Sequence, residues 1–131
     1  MKILTCFQGE STTLSVRLFN AAHPSEDDYV NLSKFIAYDF TVTEVYDNGH
    51  KVLFEKSGAD VWPWLDLPQT ERAYPNNVIN IAIASTDSQP LVPNPPDRDK
   101  VRYWRIRGQE ASLAWTVVDR GYFYIDSLTA V

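Results

Sequence analysis

Short runs in which apolar and polar residues alternate recur along this chain, each closed by a turn signal, and no segment carries the periodicity of a long helix. Alternation at period two is the pattern of a strand with one face in a core and the other in solvent. Several such strands at short spacing predict an all-β chain, one antiparallel β-sandwich with long loops. A length of 131 residues suits a single domain, 1–131, that buries a core without disulfide or metal staples. Four Trp, seven Tyr and six Phe supply large anchors for that core or for an interface.

The strands can be placed individually. A first one is expected over 2–7, ended by Gln8-Gly-Glu-Ser11. In Thr12-Thr-Leu-Ser-Val-Arg-Leu-Phe-Asn20, Leu14, Val16 and Leu18 alternate with Ser15 and Arg17. Ala21 to Asp28 reads as a loop. In Phe35 to Thr43, Ile36, Tyr38, Phe40 and Val42 are predicted to face the core and Asp39 the solvent. Asn48-Gly49 suits the positive φ angles of a tight hairpin turn, with Lys51–Lys56 returning. Pro63 and Pro68 exclude a central strand between 57 and 77, so an edge strand around Ala59–Leu67 or a loop is expected there. Asn77–Ala84 resumes alternation through Ile79, Ile81 and Ile83. Residues 85–99 contain four prolines and predict an extended connection or exposed arm. Three closing strands follow, Val101–Arg107, Ala111–Val118 and Tyr122–Leu128, with turns at Gly108-Gln109 and Asp119-Arg-Gly121.

Chemistry is sparse in this pattern. The histidines are His23 in a loop and His50 beside the hairpin turn, and neither has the neighbouring motif of a nucleophile and base. Cys6 is the one cysteine, which excludes an intrachain disulfide and reads as a small buried side chain. Glu26-Asp27-Asp28 and Asp97-Arg98-Asp99 lack the spaced ligands and glycine of a calcium loop. The five glycines are isolated, so no phosphate-cradling loop exists. No catalytic residue, cofactor or metal ligand is therefore assigned.

A formal charge of −5 disfavours nucleic acid as a partner. The one basic cluster, Arg102, Arg105 and Arg107, lies on an expected strand, where alternation sends Arg102 to one face and the other two to the opposite face. No run approaches the ~20 apolar residues of a membrane span, and Met1–Phe7 is too short for a signal peptide, so expression and folding in a cytoplasm are expected. What remains distinctive is surface. Leu91, Val92 and Pro93 sit in the proline-rich tract, where apolar side chains suit contact with another subunit. Trp62 and Trp64 flank Pro63, beside Asp60 and Asp66; core packing and a partner-binding or sugar-binding platform both stay open for them.

The order of these segments resembles the immunoglobulin-like N-terminal domain of phage baseplate upper proteins and related small phage tail and fibre domains. The resemblance rests on Thr13-Leu-Ser-Val-Arg-Leu18, Val30-Asn-Leu-Ser33, Tyr38-Asp-Phe-Thr-Val42 and Phe54-Glu-Lys-Ser57. It continues through Val78-Ile-Asn-Ile-Ala-Ile83, Tyr103-Trp-Arg-Ile-Arg107 and Gly121-Tyr-Phe-Tyr-Ile125. It implies an immunoglobulin-like sandwich and a noncatalytic virion protein that binds other virion proteins and copies of itself. The long connections at 58–77 and 85–99 depart from the family pattern, and the chain is expected to lack the coiled-coil or receptor-binding extension of a full baseplate upper protein. These differences point to a stand-alone adaptor, fibre-attachment or decoration subunit. Two alternatives are an acidic inhibitor or immunity protein that masks a toxin or nuclease, and a small carbohydrate-binding module built on Trp62 and Trp64.

Overall fold

The computed structural model describes residues 2–18, 32, 35–46, 48–63, 78–93 and 101–127. They are nearly all β, arranged as two sheets in a sandwich-like fold. The strands are β1 (Lys2–Phe7), β2 (Thr12–Arg17), β3 (Phe35–Tyr46), β4 (Gly49–Ser57), β5 (Val61–Pro63), β6 (Val78–Ile83), β7 (Val101–Glu110) and β8 (Trp115–Asp126). One sheet has the order β1-β8-β7-β3-β4 and the other β2-β6-β5. Neighbours are antiparallel except β1 and β8, which run parallel. Parallel neighbours cannot be joined by a hairpin, so this pair unites the two ends of the described chain.

The core lies between the two inner faces. The larger sheet contributes Cys6, Tyr38, Phe40, Val42, Trp104, Ile106, Phe123 and Ile125; Val16, Val61, Ile79, Ile81 and Ile83 come from the smaller one. Phe40 is central, with ring centroids of Phe54, Trp104 and Phe123 at 6.4, 6.3 and 6.3 Å. Tyr38 donates its hydroxyl hydrogen to the Leu32 carbonyl, which satisfies a buried polar tip, and burial raises its pKa. Lys2 ties the sheets together: its ammonium donates to the Arg17 carbonyl and to Asp119, the latter at 2.7 Å.

β1 forms where a first strand was expected, β2 and β6 follow the expected alternation, and β5 is the short edge strand anticipated around Pro63. Five details differ. First, the pairing of β3 with β7 shifts between Phe35 and Ala37, which leaves Ile36 as an extra residue. Such a bulge reverses the alternation ahead of it. Phe35 therefore turns inward and Ile36, expected in the core, is 60% exposed.

Second, Asp39 is buried, not solvated, because Arg107 lies directly opposite on β7 and covers it. Third, Gly108-Gln109 and Asp119-Arg-Gly121 are not turns but strand interior; the reversal is at 111–114, closed by Leu113 N–H to the Glu110 carbonyl at 2.8 Å. Both glycines are there because something occupies the place of a side chain. A Cβ on Gly108 would lie 2.6 Å from the Phe35 ring, and one on Gly121 would lie 2.1 Å from the Lys2 carbonyl oxygen.

Fourth, the β3–β4 hairpin forms, but Gly49 already pairs with Tyr46 and so belongs to the returning strand, not to the turn. Fifth, Ser85–Ser88 is one helical turn, α1, where an extended arm was expected. It is stitched to the β1–β2 connection: Gly9 N–H donates to Ser88 Oγ at 2.9 Å, and Ser85 N–H to Ser11 Oγ at 3.1 Å.

Candidate binding face on the five-stranded sheet

Side chains that alternate away from the core form the outer face of the larger sheet, and the pairing register arranges them in rows. One row runs Ile3, Tyr122, Tyr103, Thr43, Val52 across all five strands. On one side of it Val101, Val45 and His50 are aligned. On the other side come Arg120, Arg105, Thr41 and Glu55, then Val117, Arg107, Asp39 and Ser57. Ile3, Val45, Val52, Val101, Val117 and Tyr122 are all exposed. The Tyr103 and Tyr122 rings pack with centroids 5.2 Å apart. A depression of about 880 Å³ opens here, walled by Val45, His50, Tyr103, Arg105, Val117 and Arg120.

Charge is distributed unevenly among the three β7 arginines. Arg102 points inward and forms a buried ion pair with Glu44 at 2.8 Å. Arg107 grips Asp39, its Nε donating to both carboxylate oxygens at 3.0 Å, and its guanidinium lies 4.8 Å from the centre of the Trp115 ring. The Asp39 hydrogen bond raises the Arg107 pKa, with burial opposing. Arg105 has neither kind of partner among the described residues and stands opposite Arg120. Like charges directly across a strand pair repel. The face thus presents tyrosines, aliphatic groups and two adjacent cations, the residue types that anchor protein–protein interfaces.

The residues singled out in the sequence lie elsewhere. Trp62 is 37% exposed on β5, an edge strand of the smaller sheet; Trp64 lies outside the described residues. Leu91 turns back and packs against the chain's own core, held by its carbonyl, which accepts from Gln8 Nε2 at 2.7 Å. Val92 is exposed and Pro93 half-buried, and 94–99 lie outside the described residues, as do His23, Glu26–Asp28, Val30-Asn31, Ser33 and Asp66. None of Trp62, Leu91, Val92 and Pro93 lines the depression. The division of the arginines between faces was legible from alternation. The pairing of Arg105 with Arg120 was hidden, because Asp119-Arg-Gly121 resembles a turn when read as sequence.

Among the described residues no three His, Cys, Asp or Glu side chains converge as a metal site would require, and no helix is long and apolar enough to cross a membrane. Cys6 is buried, and its pKa is pushed up to about 11 by burial first and by the Asp126 charge second. No protein-family model matches this sequence, and no curated protein is significantly similar to it.

Proposed function

We propose that this protein is a noncatalytic structural subunit of a bacteriophage particle, an immunoglobulin-like module of the tail, baseplate, fibre attachment or decoration. It works by binding other virion proteins and copies of itself, after synthesis and folding in the host cytoplasm. The observation that carries the binding role is the open outer face of the five-stranded sheet, with exposed apolar groups around Tyr103, Tyr122, Arg105 and Arg120. A contiguous apolar and aromatic surface of this kind is stabilised when a partner excludes water from it. The virion assignment rests on the resemblance of the strand series. Apart from Val30–Ser33, which lies mostly outside the described residues, its runs fall on β2, the middle of β3, the end of β4, and β6, β7 and β8.

Native purification from producing cells, followed by mass spectrometry, tests the proposal. Tail, baseplate or capsid proteins should accompany the chain, and Tyr103→Ser with Tyr122→Ser should release them while the fold persists. A single small toxin or nuclease as the partner would establish the inhibitor reading instead. Retention on a glycan array that is lost in Trp62→Ala would establish the sugar-binding one.

A further inference from the structure

We infer that the depression beside β7 and β8 takes an acidic segment of a partner protein, with one of its carboxylates seated between Arg105 and Arg120. The inference rests on reading this face as a docking surface, and it specifies the chemistry of what docks. Three observations converge on it. Of the three arginines on β7, two have carboxylates of their own, Glu44 for Arg102 and Asp39 for Arg107, and Arg105 has none among the described residues. Arg105 and Arg120 are register partners, so their backbones are only about 5 Å apart and both side chains reach solvent. Finally, among the described residues no Asp or Glu lines the depression.

Among the described residues the nearest carboxylates are engaged or distant. Asp119 is bound to Lys2 at 2.7 Å, and Glu55 stands in the same row two strands away, about 10 Å across Thr41. Two cations held side by side repel, and a carboxylate between them converts that repulsion into charge-assisted hydrogen bonds. Val45, Tyr103 and Val117 supply apolar walls, which a peptide with apolar neighbours on its acidic residue would cover. A nucleic acid would bring many phosphates to a chain of net charge −5 for the sake of two arginines, so a protein segment is the better match.

The test is a titration of the isotopically labelled protein with a blocked peptide of alternating Glu and Val, followed by NMR. Amide shifts should cluster at Tyr103, Arg105, Val117 and Arg120. Arg105→Gln and Arg120→Gln should each weaken binding by about tenfold, equivalent to ~1.4 kcal/mol, with an unchanged thermal midpoint. Arg17→Gln, on the other sheet, should leave binding intact. Absence of shifts, or equal affinity for the Gln–Val version of the peptide, would overturn the inference. So would tighter binding of a single-stranded oligonucleotide through the same residues. If virion proteins co-purify equally well with the Arg105→Gln/Arg120→Gln double variant, this inference falls while the structural-subunit reading stands. If wild-type protein brings none, that reading falls, and the titration still judges the groove by itself.

Discussion

Truncating Phe40 and truncating Ile36 should have very different consequences, although the two residues occupy equivalent places in the alternating pattern of β3. Phe40 is fully buried and meets three aromatic rings with centroids 6.3–6.4 Å away. Phe→Ala in a core costs about 3–5 kcal/mol through lost transfer energy and the cavity left behind. Each aromatic contact adds roughly 0.5–1.5 kcal/mol beyond its area, which places Phe40→Ala toward the upper end, about 4–5 kcal/mol. For a chain of this length ~1 kcal/mol moves the thermal midpoint by about 3–4 °C, so a fall of roughly 12–20 °C is expected. Ile36 is 60% exposed beyond the bulge, and Ile36→Ala should cost below ~1 kcal/mol. Chemical denaturation of both variants, with slopes compared to wild type, measures the difference. Equal losses would mean that the bulge is absent and that Ile36 faces the core. A Phe40→Ala loss below ~1 kcal/mol would refute the assignment of the core itself.

Three further outcomes follow from the ionisable groups. Glu44→Gln strips a buried Arg102 of its anion and should cost about 3–5 kcal/mol, whereas Glu44→Leu with Arg102→Met should cost far less; urea titrations of the singles and the double decide this. Asp39→Asn should destabilise by about 1–3 kcal/mol in the same assay because it weakens the two-oxygen grip on Arg107, and a neutral result would mean that the pair is solvated. Cys6 loses its proton near 9 when unfolded and only at about 11 when folded, so the folded state holds more protons between those values. Its contribution to stability is complete below pH 9 and is lost as pH rises toward 11; denaturation midpoints of wild type and Cys6→Ala should show a difference that depends on pH only in that window.

Much of the sandwich was legible as sequence because period-two alternation directly encodes which face meets a core. β2, β6 and the β3–β4 hairpin could be located that way, and so could the split of Arg102 from Arg105 and Arg107. These are local properties: each depends on a strand's own side chains and not on its neighbours. What alternation could not carry was any feature produced by a neighbouring strand. Ile36 leaves the core because Phe35 packs over Gly108, a residue from a distant part of the chain. Gly108 and Gly121 look like turn residues, yet each is strand interior beside a ring or a carbonyl from a distant segment.

The candidate site belongs to the second category. Tyr103, Arg105, Arg120 and Tyr122 are ordinary strand residues individually, and no motif joins them. They become one surface because β7 and β8 pair in a register that contains a shift between Ile106 and Arg107, which sets Arg105 opposite Arg120 and Tyr103 opposite Tyr122. The sequence alone determined that the chain would form strands with one apolar face, since that follows from side-chain chemistry at fixed spacing. Only the tertiary structure decided which outward residues stand side by side, because register is chosen by the packing of the whole core, and a single bulge changes every pair beyond it.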